Sequence, residues 1–209
     1  MAGIGFDIKD VLEELGTSLI IYRYPGPTLI EEKIDHEFFT THSSEFLRMF
    51  FSKATLVVDT QIVTGDIVSA MGYYFLVTAN TPSYFENSIV DWTAVFYRCN
   101  CLGKLSRYPQ RGTWDSNYEK VTDWSDIETD IHALQYENVR DSSQFVEEDV
   151  LAMSIQGNLL FLPGYVEVEE GDRWYPIATD LTKFYRIASI DSLRIENVSI
   201  CILKEDERE

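Results

Sequence analysis

The residues whose chemistry could make a site are few, and each group stops short of a complete constellation. His36-Glu37-Phe38-Phe39-Thr40 opens like a helical zinc-protease motif, in which two imidazoles four apart hold the ion and the Glu acts as base. Thr40 stands where the second imidazole must be, and that removes the mechanism. His42 follows His36 at a spacing no helix can use for one ion, so the pair reads as surface. Cys99-x-Cys101 would put two thiols on one face of a strand, with no second pair downstream to complete a tetrahedron. Buried, inert cysteines are the expectation there. A cysteine nucleophile would need a base, and His132 is the histidine on that side of the chain. Asp123, Asp126, Glu128 and Asp130 offer calcium-type oxygen ligands but lack the Asp-x-Asp-x-Asp-Gly order that wraps a loop around the ion. They read as a solvated acidic loop. Carboxylate pairs suited to glycoside hydrolysis carry no information among 35 acids, because some pairs fall close together in any fold. Phosphate-binding glycine loops and the Gly-x-Ser-x-Gly elbow are missing from the sequence. The sequence therefore predicts no catalytic, cofactor-binding or metal-ligating residue. A β-sandwich hydrolase using two acids is the enzymatic alternative.

The elements that would position these residues are mostly strands. FDIKDVLEELG reads as one short helix with Phe6, Ile8, Val11, Leu12 and Leu15 on an apolar face. Asp7 is its expected cap and Gly16 its left-handed stop. Residues 17–24 then read as a strand ending at Pro25-Gly26-Pro27. β-Branched and aromatic runs predict further strands at 56–58, 67–68, 73–78, 89–98, 158–161, 165–168, 183–190 and 198–203. Residues 46–51 fit either a short helix or a strand. Residues 107–140 are polar and turn-rich around Trp114 and Trp124. They read as a long loop or arm, partly helical near 127–136, of the kind that has a task or a partner.

One internal echo runs through the chain. Gly65-Asp66-Ile67 precedes Tyr74-Phe75-Leu76-Val77 and Glu86-Asn87, while Gly171-Asp172-Arg173 precedes Tyr185-Arg186-Ile187-Ala188 and Glu196-Asn197. A Gly-Asp turn into a strand, a returning aromatic strand and a third strand make a small antiparallel meander. The echo fits either a duplication or one barrel with convergent turns. The expected fold class is mainly β: small antiparallel barrels or a sandwich, minor helices and a long loop or arm. Residues 1–209 would form one β-rich domain. A possible split has a barrel-like half at 1–105, the arm at 106–140 and a C-terminal β half at 141–209.

Composition limits the functions. A formal charge of −18 and a pI near 4.4 argue against a protein that binds nucleic acid by neutralising phosphates. With 45% hydrophobic residues, 12 Phe, 12 Tyr and 4 Trp, the chain is not a disordered acidic tail. Such aromatics suit both sheet cores and buried contacts between subunits. Three cysteines make no disulfide framework, which fits a reducing compartment. The N-terminus lacks a basic segment leading into an apolar run, so a soluble, non-secreted protein is expected and the Asn197-Val198-Ser199 sequon would go unused.

Motif order resembles the neck, or head-tail connector, proteins of tailed bacteriophages, the stopper and head-completion group. The resembling residues are the Phe6-Asp7-Ile8-Lys9-Asp10 helix, Gly65-Asp66-Ile67-Val68, Tyr74-Phe75-Leu76-Val77, Tyr97-Arg98-Cys99-Asn100, Gly103 and Tyr108-Pro109. Gly171-Asp172-Arg173-Trp174-Tyr175, Tyr185-Arg186-Ile187, Ile190-Asp191 and Lys204-Glu205-Asp206 complete the series. They cover about half the chain in scattered patches, and Cys101-Leu102-Gly103-Lys104-Leu105 departs from the aromatic strand such proteins would have there. The resemblance implies a non-enzymatic virion component made in the bacterial host cytoplasm, without cofactor or membrane. It would form a homo-oligomeric ring of six or twelve copies against portal, adaptor or tail proteins. Genome DNA would pass through without sequence-specific binding, past acids such as Glu167, Glu169, Glu170 and the 123–130 cluster. Tail-tube, tail-completion and baseplate proteins are the alternatives within the particle. An acidic DNA-mimicking module is an alternative outside it.

Overall fold

A computed structural model describes residues 4–23, 28–37, 51–108, 123–138, 157–177 and 184–206. Among the described residues, one helix, α1 (Ile4–Leu15), is followed only by strands. The first six are β1 (Thr17–Arg23), β2 (Thr28–Glu37), β3 (Phe51–Leu56), β4 (Ile67–Ala70), β5 (Tyr73–Phe85) and β6 (Ser88–Arg98). They close into an antiparallel barrel in the order β1-β2-β3-β6-β5-β4. The second six are β7 (Cys101–Arg107), β8 (Ser125–Asn138), β9 (Gly157–Pro163), β10 (Arg173–Pro176), β11 (Tyr185–Ile195) and β12 (Val198–Glu205). They close a second barrel in the same order, β7-β8-β9-β12-β11-β10. The chain passes from one barrel to the other through Cys99-Asn100 alone, so the expected mainly-β barrel fold is realised twice. Closure removes the exposed edges that would otherwise template aggregation.

Alternation explains the cores. In β3 every second side chain is buried, Ser52, Ala54 and Leu56 pointing inward. The first core gathers Leu19, Ile21, Ile34, Leu56, Phe75, Val77 and Phe96, all at most 2% exposed. The second gathers Leu105, Ile131, Leu160, Leu162, Trp174, Ile187 and Leu203. Trp174 fills the second barrel because its ring lies against Gly103, where any Cβ would collide with it.

Several expectations are corrected. The stretch near 127–136 is strand, not helix. The spacing of Ile127, Ile131 and Leu134 imitates a helix because β8 breaks its alternation at Asp130, whose φ is +56°, and is covered on both faces only beyond it. Ile131 and Ala133 point into the second barrel, while Leu134 faces the first. Residues 165–168 form the turn region after β9 rather than a strand; Val166 and Val168 still pack into the core. Gly16 does not take a left-handed conformation. Its N–H bonds the Leu12 carbonyl at 2.8 Å, and a Cβ there would press on that oxygen and on Lys33. Asp7 lies inside the first helical turn rather than capping it, where its charge still favours the helix N-terminus. Of the expected apolar face, Leu12 is buried but Val11 and Leu15 are 55% and 78% exposed. Of the strand expected at 56–58 only Leu56 is strand, the end of β3, because the chain turns at 58–59; β2, β7 and β10 carry no strand signal in the sequence. Of the ambiguous 46–51 stretch, Phe51 begins β3 and the remainder lies outside the described residues, as do Thr40, His42 and Trp114.

Candidate functional site

Both halves of the Gly-Asp echo build the same corner. In the first barrel the Gly65 N–H bonds the Val77 carbonyl, and the Val77 N–H bonds the Asp66 carbonyl, at 2.8 and 2.9 Å. In the second, Gly171 and Ile187 exchange the same bonds with Asp172, both at 2.8 Å. The two glycines have φ of +91° and +97°, which side-chain-bearing residues rarely adopt. Each buried aspartate accepts a two-pronged bond from the arginine ending the barrel's first strand. Arg23 reaches Asp66 at 3.0 and 2.6 Å, and Arg107 reaches Asp172 at 2.8 and 2.9 Å. The same carboxylates accept the Val63 and Glu169 N–H groups at 2.9 and 2.8 Å. Each arginine also donates to the turn carbonyl of Gln61 or Glu167. These carboxylates are committed to holding the corner shut, which suits them to architecture rather than proton transfer.

The barrels meet through an apolar junction. A cross-strand row on the first barrel, Tyr22–Ile67–Leu76–Tyr97–Phe51, is set by pairing along β1, β4, β5, β6 and β3. It packs against two rows of the second barrel, Leu134–Phe161–Ile200 and Tyr136–Leu159–Ile202. Tyr97 and Phe161 have ring centroids 6.3 Å apart. Tyr74 stacks on His132 at 3.5 Å with 12° between planes. Asn197, at the β11–β12 turn, sits against Gly65 so closely that a Cβ on that glycine would collide with its carbonyl.

The candidate residues fall as follows. Cys99 joins the junction cluster, whereas Cys101 packs on the second core and Cys201 lies within it. The two neighbouring thiols thus serve different clusters rather than one face. The Cys101 thiol donates to the Ala133 carbonyl at 3.3 Å. Burial pushes the Cys101 and Cys201 thiols up to about 12, and pushes Cys99 up as well. Thiolate, the nucleophilic and metal-binding form, is disfavoured at all three. Burial lowers the His132 pKa against the opposing charge of Asp130. His36 and Glu37 are at the end of β2, an extended conformation in which helical zinc spacing has no meaning.

The acidic cluster is spread along β8 and its approach. Asp126 accepts from Ser106 at 2.6 Å and from Lys104 at 3.2 Å, bonds that hold its pKa down. Glu169 pairs with Arg107 at 2.7 Å. Among the described residues, no three His, Cys, Asp or Glu side chains gather to hold a metal. A depression of about 520 Å³ lies between α1, the β1–β2 pair and the 57–61 turn. Its walls satisfy one another: Lys9 bonds Asp59 at 2.7 Å, Lys33 bonds the Glu13 carbonyl at 2.6 Å, and Glu32 accepts from Thr60 and the Gln61 N–H at 2.7 Å.

The arginine partners Arg23 and Arg107 escaped the sequence reading. Their only signal is one arginine at the end of each barrel's first strand, far from the Gly-Asp it serves. Among the described residues no helix is long and apolar enough to cross a membrane. Protein-family models, curated proteins and solved structures give no match to this chain.

Proposed function

We propose that the chain is a non-enzymatic structural component of a bacteriophage virion, a ring-forming neck protein that joins portal to tail around the genome channel. The observation that carries this reading is the duplicated barrel whose two copies meet through different faces. Such a contact is heterologous, the type from which closed rings are built. The charged groups at the conspicuous corners hold those corners shut, and the thiols are pushed away from their reactive form. Both features favour a scaffold over a catalyst. The particle type comes from the motif order resembling neck proteins. Like charge along an acidic bore would let duplex DNA slide rather than stick.

The test is immunogold labelling of virions purified from a lysate in which the chain is produced. Label at the vertex between head and tail is expected. Label along the tail or at its tip replaces the neck with the tail-tube or baseplate alternative. Unlabelled particles overturn the reading.

A further inference from the structure

Two outward-facing residues of the second barrel are buried. Leu105 and Trp174 point into its core, so their neighbours Ser106 and Arg173 point out, yet these are only 1% and 4% exposed. Pairing registers and the Gly-Asp corners make Tyr22, Ile67, Leu76 and Tyr97 of the first barrel equivalent to Ser106, Arg173, Arg186 and Lys204 of the second. On the first barrel that row packs against the second barrel. On the second, Arg186 and Lys204 are exposed, while the Ser106–Arg173 half is covered by the barrel's own chain.

The cover comes from places far apart in sequence and centres on Arg173. Trp124, just before β8, stacks on its guanidinium, with 3.9 Å from Cζ to the ring centroid. Phe184, just before β11, lies on it at 4.4 Å. Asp206, just after β12, accepts from its Nε at 2.8 Å, and the Tyr175 hydroxyl accepts from Nη1 at 3.2 Å. The Arg173 and Asp206 side chains are 5% and 1% exposed. The Asp206 N–H bonds the Phe184 carbonyl at 3.2 Å, and Tyr108 meets Trp124 edge-on at 5.3 Å. A planar guanidinium suits this place because it stacks on rings and still bonds within its own plane. A buried ion pair is poor material for bulk stability, since apolar residues of similar volume do as well or better. The first barrel uses that apolar solution at Ile67. What the pair adds is dependence on one partner: without the carboxylate, the closed arrangement holds an uncompensated buried charge.

We infer that Trp124, Phe184 and Asp206 form a lid on the second barrel, latched by the Arg173–Asp206 pair, that opens without the barrel unfolding. The lid occupies the place that a neighbouring barrel occupies on the first. Opening bares Ser106 and Arg173 beside the already exposed Arg186 and Lys204, and so uncovers the whole row equivalent to the one by which the first barrel meets its neighbour. Local openings of this kind are cooperative units with their own free energy, below that of global unfolding. The latch is a property of the fold and is independent of the particle in which the chain works.

A thiol placed under the lid tests it. Ser106→Cys puts a nearly isosteric thiol beside Arg173, and its rate of reaction with a disulfide reagent at pH 8 reads how often the lid opens. Cys99, Cys101 and Cys201 report in the same experiment on the junction and the barrel interior. The new thiol should react far more slowly in the folded chain than in denaturant. Adding Asp206→Asn or Arg173→Gln breaks the latch from either side and should speed the reaction about tenfold or more, with the three native thiols still unreactive. Arg186→Gln removes the same charge from the row without touching the latch and should leave the rate unchanged. Four results would each overturn the inference. They are a new thiol that reacts as fast in the folded as in the unfolded chain, latch variants that leave its rate unaltered, acceleration shared by the native thiols, and equal acceleration in Arg186→Gln.

Discussion

At the scale of single residues, the Arg–Asp corners and the junction histidine carry the clearest consequences. Asp172 is 2% exposed and accepts from Arg107 and the Glu169 N–H. Replacing it with Ala leaves those donors facing a void. Bonds to charged groups of this kind contribute about 1.5–3 kcal/mol, and Arg107 keeps partial access to water. Asp172→Ala should therefore lower stability by roughly 2–3 kcal/mol in urea unfolding, and Asp66→Ala should do the same in the first barrel. His132 gives a pH signature. Its folded pKa lies below the ordinary value because burial disfavours the imidazolium, with Asp130 opposing. The unfolded chain then binds the proton more readily, so this contribution is complete above about pH 6.5 and is lost as pH falls through the folded pKa. His132→Phe keeps a ring against Tyr74 and cannot titrate. Its stability should decline less than wild type between pH 7.5 and 5, measured by urea midpoints at both. The thiols supply a further test. With Cys101 and Cys201 near 12 and Cys99 also raised, a disulfide reagent at pH 8 should label these cysteines only after denaturant is added.

At the scale of elements, the two glycine corners separate backbone strain from packing. Gly171 and Gly65 share a left-handed φ, but only Gly65 has a neighbour against the space of a Cβ. Gly171→Ala should cost about 1–2 kcal/mol, the strain of the conformation alone. Gly65→Ala adds displacement of the Asn197 turn and should be clearly worse in the same urea measurement. The Gly-Asp and Glu-Asn signals were legible in the sequence because turns impose local residue choices. The alignment of the returning strand was not. Matching Tyr74 to Tyr185 puts Val77 against Ala188, whereas the corner bonds place Val77 with Ile187 and Phe75 with Tyr185. A one-residue slip exchanges inside for outside along a strand. Under the sequence register the contrast of Leu76 with Arg186 is invisible. Strand β8 was missed for a related reason: largely exposed up to Asp130, bulged there and covered on both faces only from Ile131 on, it shows no period of two. The long polar arm shrinks accordingly, since residues 125–138 belong to the second barrel wall.

At the scale of the whole molecule, the question is whether two barrels unfold as one. Each has its own closed sheet and core, and what joins them is one short link and the junction around Leu76, Tyr97 and Phe161. Leu76 is fully buried and Phe161 is 1% exposed. Burial of a side chain of this size stabilises by about 1.5–3 kcal/mol, so several acting together couple the barrels strongly. Wild type should show one cooperative urea transition by far-UV circular dichroism and tryptophan fluorescence alike. The second barrel shows which residues a solvent-facing version of the same row uses, namely Arg186 and Lys204. Leu76→Arg with Tyr97→Lys transplants that solution onto the first barrel, on side chains that point away from its core. Both barrels should then stay folded while their coupling is lost, and the single transition should split in two. A transition that remains single and merely shifts to lower urea would mean that the barrels are one cooperative unit, unable to stand apart. Two transitions would establish the barrel as the repeating unit, held to its neighbour by the chemistry of one row of side chains.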